Sequence, residues 1–150
     1  MRTLLDTNVL TRLAQTNHPQ HPAAVGAVKL LLERRERLCI VPQNLYEFWA
    51  VATRPWGENG LGITVPEAQA EVIRIKHHFD LIRNERGILE EWERLVNLYD
   101  VKGKTAHDAR LVAAMRRHGL TRLLTFNASH FARFDGIEVL TPEHVLQGAQ

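Results

Sequence analysis

Three acids and one amide in this sequence have the side-chain types that bind a divalent cation. Asp6 directly follows a short apolar segment, and Asn127 follows another one late in the chain. Glu47 stands in the stretch LYEFWAV, where an ionised carboxylate is costly unless it is paired or binds a cation. Asp108 lies near the start of a helical pattern. Grouped carboxylates raise one another's pKa, which a cation counteracts, and all-oxygen ligands favour Mg²⁺ or Mn²⁺ over zinc.

Two of these acids also have a purely structural interpretation. Asp is a favoured residue at helix N-termini, so Asp6 could be a helix cap, and Asn8 fits the same helix-start chemistry. Glu47 could face solvent, together with Gln43 and Asn44 one turn earlier. Taken alone, either interpretation would explain the acid without a role in catalysis.

The other two positions have structural alternatives as well. Thr105 and Asp108 could form an imperfect capping box, in which Asp stands where Glu or Gln is usual. Asn127 could be an ordinary loop residue. Taken together these alternatives are less persuasive, because all four residues lie at strand ends or in the first turns of helices and can converge on one edge of a sheet.

Apolar patterning predicts the elements that would position these residues. Strands are expected at 3–5, 38–41, 79–82, 122–125 and 137–140. Helices are expected at 7–15, 19–35, 42–53, 66–78, 87–99, 105–118 and from Pro142 onward, with a Gly-rich loop at 53–64 and a short helical turn at 129–132. This alternation predicts one α/β domain over residues 1–150, with a central parallel sheet flanked by helices on both faces. Ligands of such sheets bind at the carboxyl ends of the strands.

Composition excludes some classes of protein. The chain has 150 residues, of which 45% are hydrophobic and 24% charged, and no apolar run approaches the ~20 residues of a membrane helix. Its first residues do not resemble a signal peptide, so we expect a cytoplasmic protein with no membrane partner. Cys39 is the one cysteine, which excludes an intrachain disulfide, and we expect it to be buried. The net charge of +2 permits a polyanionic partner without requiring one.

Four segments resemble the motifs of PIN-domain ribonucleases, in particular the VapC-type toxins of bacterial type II toxin–antitoxin pairs. They are LLDTNVL at 4–10, QNLYEF at 43–48, GKTAHDARLVA at 103–113 and LTFNASHF at 124–131. Each motif alone is weak, but the four occur in order over nearly the whole chain. The resemblance implies that Asp6, Glu47 and Asp108 hold Mg²⁺ or Mn²⁺, with Asn8 as a supporting polar residue near Asp6.

The fourth acidic position departs from the pattern of many relatives. Asn127 stands where they carry Asp, and His130 stands where some carry another Asp. An Asn can still coordinate through its carbonyl oxygen or hold a water, but it adds no negative charge. These changes weaken the case for a second tightly held ion. Asn is common here in the toxin branch, so the resemblance still implies an active site that includes Asn127.

The implied reaction is hydrolysis of RNA phosphodiester bonds by water, leaving 5′-phosphate and 3′-hydroxyl ends. A bound ion lowers the pKa of a water and offsets charge on the phosphate. Asp6 and Asp108 are the first choices as direct ligands, and Glu47 could coordinate or orient the water. Five cations are expected near the acidic edge, where they could neutralise phosphates: Arg12, Arg54, Lys102, Lys104 and Arg110.

The resemblance also implies two protein partners. Relatives bind a cognate antitoxin across the acidic groove, and the helix from Pro42 with the preceding one at 24–35 could supply that groove. Homodimers are usual in the family. Trp56 could stack on an RNA base or cover the core, and His107 could support Asp108 or serve packing.

Three other functions compete with this interpretation. A PIN-like nuclease acting on structured DNA would tend to carry more acids and helical insertions than this chain. A phosphotransfer enzyme would place a second acid two residues after Asp6, where this sequence has Asn8. The chain could also be a non-catalytic protein-binding module with a vestigial acidic site.

Overall fold

The central sheet contains five strands that all run parallel, in the order β3-β2-β1-β4-β5. The fold comes from a computed structural model that describes residues 1–148, so the last two residues of the predicted 1–150 domain lie outside it. The strands are β1 (Arg2–Leu5), β2 (Arg37–Ile40), β3 (Asp80–Leu81), β4 (Arg122–Leu124) and β5 (Glu138–Leu140). The predicted parallel sheet and its strand positions are therefore confirmed, with ends that differ by at most one residue.

Seven α-helices join and cover the strands within residues 1–148. They are α1 (Thr7–Ala14), α2 (His21–Glu33), α3 (Pro42–Thr53), α4 (Val65–His78), α5 (Ile88–Leu98), α6 (Thr105–Arg117) and α7 (Pro142–Gln147). Prolines begin α3 and α7 because a first helical residue needs no amide hydrogen. Helix α4 begins one residue before its predicted start, where Thr64 and Glu67 form a capping box. In the described part of the chain, no helix combines the length and the apolar character needed to cross a membrane.

Neighbouring strand residues point to opposite faces of the sheet, which creates two apolar cores. Leu4 and Leu123 pack against α5 and α6 on one face. Leu5 and Leu124 pack against α1, α2, α3, α4 and α7 on the other. Helices on both faces confirm the predicted α/β class. Cys39 is a free thiol with 1% exposure, so the expectation of a buried cysteine is also confirmed.

The connections of the sheet create one crevice at its carboxyl edge. From β1 the chain moves outward to β2 and β3, and then returns to the other side of β1 for β4 and β5. The order in which strands are added to the sheet therefore reverses between β1 and β4. Open parallel sheets bind ligands at such a point. Helix α1 packs against both α2 and α3. The expectation that α2 and α3 could supply the antitoxin groove stays a prediction.

Candidate active site

Asp6 lies in the crevice between β1 and β4. Its backbone N–H donates to the Leu124 carbonyl at 2.9 Å, which ties the end of β1 to the end of β4. Its Oδ1 accepts from the Thr7 backbone N–H at 2.7 Å, so Asp6 does cap α1 as the structural interpretation predicted. Its Oδ2 accepts from the Thr125 hydroxyl at 2.8 Å. Asp6 therefore combines a capping role with a position in the crevice.

Burial dominates the electrostatics of Asp6. Loss of solvent raises the pKa of this carboxyl from 3.8 to about 6, although the hydrogen bonds from Thr125 and Thr7 oppose the rise. The nearby charges of Asp108 and Glu47 raise the pKa of Asp6 further. All three predicted acids are thus close enough to interact electrostatically.

Glu47 is held towards Asp6 by polar residues in the first turns of α1 and α3. Its Oε1 accepts from the Thr7 hydroxyl at 2.9 Å. Asn44 is fully buried and donates to the Leu5 carbonyl at 3.0 Å and to the Thr7 hydroxyl at 3.2 Å. Gln43 is 5% exposed. The alternative in which Glu47 faces solvent together with Gln43 and Asn44 is wrong, because both neighbours are buried.

Asp108 lies in the first turn of α6. The helix begins at Thr105 with Lys104 in the cap position and no capping hydrogen bond from a side chain. The imperfect capping box suggested by the sequence is therefore wrong. Burial raises the pKa of Asp108, and the charge of Glu47 raises it further, while His130, His107 and Arg133 lower it. Among these neighbours, His130 places Nδ1 4.0 Å from the Asp108 carboxylate.

A residue that the sequence analysis did not identify organises the fourth motif. Thr125 is fully buried, and besides donating to Asp6 its hydroxyl accepts from Asn8 Nδ2 at 3.2 Å and from the Asn127 backbone N–H at 3.0 Å. Asn127 itself is exposed, and its side chain makes no capping hydrogen bond. A hydroxyl at the buried end of a strand needs hydrogen-bond partners, and that was the available signal for Thr125.

The donor chemistry of the site suits a cation that prefers oxygen ligands. In the described residues no group of three His, Cys, Asp or Glu side chains is already arranged as a metal site. Nevertheless, the hydrogen bonds to Asp6 come from neutral donors, and no salt bridge within residues 1–148 involves Asp6 or Glu47. Three interacting carboxylates without a cationic side chain paired to Asp6 fit Mg²⁺ or Mn²⁺, whose charge would favour their ionised forms.

The cations expected at the acidic edge differ in how strongly other side chains hold them. Arg12 donates to two glutamine side chains at 2.8 Å, and Lys102 lies 3.5 Å from Asp100. Arg110 pairs with Glu85 at 2.6 Å. The remaining two are exposed, namely Arg54 and Lys104. Only these two lack a side-chain partner among the described residues. Lys104 directly precedes α6, which carries Asp108, whereas Arg54 follows the last residue of α3, two turns beyond Glu47.

Trp56 and His107 lie at the surface rather than in the core. Trp56 is 76% exposed in a short 3₁₀ helix of the predicted loop, so the alternative in which it covers the core is wrong. It lines a cavity of about 920 Å³ formed with the segment after α1 and with α4, away from the three acids. His107 is exposed, and its carbonyl accepts from Gln43 Nε2 at 2.8 Å.

Comparisons with known proteins agree on one family. The family model described as the PIN domain matches residues 3–137, whereas no curated protein matches the chain. VapBC2 from Rickettsia felis, solved bound to a DNA fragment from its promoter, is 16% identical with a TM-score of 0.69, covering 94% of this chain and 98% of that chain. A toxin–antitoxin complex from Klebsiella pneumoniae is 24% identical with a TM-score of 0.63, covering 93% and 97%. VapC20 from Mycobacterium tuberculosis, described as a sarcin–ricin loop cleaving toxin, is 20% identical with a TM-score of 0.62, covering 87% and 93%.

Proposed function

Because this chain belongs to the PIN-domain family, we propose that it is a Mg²⁺- or Mn²⁺-dependent endoribonuclease and the toxin of a type II toxin–antitoxin pair. The observation that carries the proposal is the approach of three carboxylates in the crevice, where burial raises the pKa of Asp6 to about 6. The description of VapC20 as a sarcin–ricin loop cleaving toxin supports the substrate class. We also propose that residues 1–150 form a single domain and that the protein acts in the cytoplasm.

We assign Asp6, Asp108 and Glu47 to the metal, and Asn127 to the catalytic site as a supporting amide. A bound Mg²⁺ or Mn²⁺ would supply water activation and neutralise charge on the attacked phosphate. The chain's own contribution is preorganisation. Thr7 holds Asp6 through its backbone N–H and Glu47 through its hydroxyl, and Thr125 holds the second oxygen of Asp6. Such anchoring keeps the two carboxylates from turning away when the substrate binds.

The proposed substrate is an RNA phosphodiester, and the proposed partners are a cognate antitoxin and a second copy of this chain. The exposed Lys104, which directly precedes the helix of Asp108, would contact phosphates, which makes RNA binding weaker at high salt. Cleavage by water leaves 5′-phosphate ends, whereas attack by the RNA 2′-hydroxyl would leave cyclic phosphates. The antitoxin is supported by the toxin–antitoxin complexes among the similar folds.

Thermal unfolding with and without Mn²⁺ tests the metal site, and incubation with labelled RNA tests the activity. A ligand at ~100 times its Kd adds about 2.7 kcal/mol, which raises the Tm of a domain of this size by about 5–10 °C. Asp6→Asn should abolish both the rise in Tm and the cleavage. Glu143→Gln, which changes an exposed acid of α7, should retain both. Wild-type protein that neither gains stability from Mn²⁺ nor cuts RNA would overturn the proposal.

The alternative left open by the sequence is a protein-binding module with a vestigial acidic site. That module would show no divalent-specific stabilisation, whereas the proposed nuclease would. A structured DNA substrate in the same cleavage assay separates the ribonuclease from a PIN-like DNA nuclease.

A further inference from the structure

We propose that Gln43, Arg110 and Glu85 form a clamp that sets the separation between Glu47 and Asp108. These three residues are called the clamp below, and each is a positioning residue rather than a catalytic one. The inference rests on the proposed function, since the separation matters only if the two acids act on one ion. Its support is a continuous chain of hydrogen bonds between the helices that carry the acids.

Gln43 connects the first turn of α3 to the first turn of α6. Its Nε2 donates to the His107 carbonyl at 2.8 Å and lies 3.5 Å from Glu47 Oε1. Glu47 is one turn further along α3, and Asp108 is the residue after His107. One buried amide therefore links the backbone beside Asp108 to the carboxylate of Glu47.

Arg110 fixes which way this amide points. A guanidinium can only donate hydrogen bonds, so the Gln43 oxygen must face Arg110 Nη1, at 2.9 Å. The nitrogen of Gln43 is then directed at the His107 carbonyl and at Glu47. Glu85, in the segment between β3 and α5, holds Arg110 Nη2 at 2.6 Å. Two different nitrogens of Arg110 donate to two partners. The single ammonium group of a lysine therefore cannot reproduce both contacts.

Metal affinity distinguishes this role from a purely electrostatic one. Arg110 is a cation two residues after Asp108 on α6, so deleting its charge should by itself tighten the binding of a divalent cation. If Arg110 acts by positioning, the same deletion should weaken binding, because residues that orient metal ligands typically contribute 10–100-fold to affinity. The two explanations therefore predict effects of opposite sign.

The experiment measures Mn²⁺ affinity by titration calorimetry and unfolding of the metal-free protein by circular dichroism. We expect Arg110→Met to weaken Mn²⁺ binding by at least ~10-fold. Arg110→Lys keeps the charge but loses the two-point contact, so it should also weaken binding. The matched control is Arg133→Met, which removes an exposed cation that acts on Asp108 through its charge alone. This control should bind Mn²⁺ as tightly as the wild type or more tightly.

The possible results of this experiment separate the clamp from the proposed function on which it rests. Unchanged or tighter binding by both Arg110 variants overturns the clamp but leaves the metal site intact. A lower Tm with an unchanged Kd for Mn²⁺ also overturns it, since that is the signature of a structural ion pair. If Arg110→Met does not fold, Arg110→Lys and the milder Glu85→Gln decide the question by the same criterion. Wild-type protein that does not bind Mn²⁺ overturns the proposed function instead.

Discussion

Replacing Thr125 by Val removes one hydroxyl while nearly preserving the shape of the side chain. That hydroxyl donates to Asp6 Oδ2 at 2.8 Å and accepts from Asn8 Nδ2 at 3.2 Å and from the Asn127 backbone N–H at 3.0 Å. Thr125 is fully buried, so water cannot easily replace the lost partner. The substitution therefore separates the hydrogen bonds of Thr125 from its packing.

The expected cost follows from the groups that lose a partner. A net hydrogen bond contributes roughly 0.5–1.5 kcal/mol, so the loss of three bonds should lower the free energy of unfolding by about 2–4 kcal/mol. The hydrogen bond from Thr125 lowers the pKa of Asp6, so its loss should raise that pKa further above about 6. More of Asp6 would then be protonated near neutral pH, and Mn²⁺ would have to displace that proton.

Two measurements check this prediction. Urea denaturation of the metal-free protein gives the free energy of unfolding, and calorimetry gives the Kd for Mn²⁺ at several pH values between about 5.5 and 8. Thr125→Val should weaken binding most at the acid end of this range. Thr121→Val, which changes an exposed threonine just before β4, is the matched control and should leave both quantities unchanged. Equal stability and equal pH profiles for Thr125→Val and wild type would refute the role assigned to this hydroxyl.

Three further substitutions have defined outcomes. The pKa of Asp6 is raised in the folded state from 3.8 to about 6, so the metal-free protein should lose up to about 3 kcal/mol of stability as the pH rises across that window. Asp6→Asn should flatten this dependence and make the metal-free protein more stable near pH 7, as urea denaturation at about pH 4.5 and 7 would reveal. Asn127→Asp should tighten Mn²⁺ binding several-fold in calorimetry, because it adds a charge to the fourth motif; unchanged affinity would place Asn127 outside the site. Phe48→Ala should lower the free energy of unfolding by about 3–5 kcal/mol, because Phe48 is fully buried in the core beneath α3.

The sequence predicted the fold well because its local signals agree with its tertiary environment. Prolines begin α3 and α7, and adjacent leucines in β1 and β4 supply both faces of the sheet. A strand buried on both faces needs no alternation of polar and apolar residues, and short apolar runs between helices are typical of parallel sheets. The limits of single elements were less predictable, as the one-residue shift at the start of α4 illustrates.

The sequence identified the acids of the site but not the residues that hold them. Asp6 follows a strand, and Glu47 and Asp108 lie near the starts of helices, so topology alone brings them to one edge. Thr7, Gln43 and Thr125 were missed as anchors because each has a decisive partner far away in the sequence. The Thr125 hydroxyl, for example, meets an acid 119 positions earlier. Such pairs depend on how helices pack on the sheet, and residue type and spacing do not encode that packing directly.

The energetics of Asp6 argue for a bound cation rather than for a vestigial site. As a helix cap alone, Asp6 could be replaced by Asn or Ser, which cap about as well and carry no charge to bury. Instead the crevice contains a carboxylate whose pKa burial raises to about 6, with two further acids that raise it more. Near neutral pH this arrangement destabilises the metal-free fold. A divalent cation would offset that cost, whereas a protein-binding module would retain it without benefit. If Asp6→Asn proves no more stable than the metal-free wild type near pH 7, this argument fails.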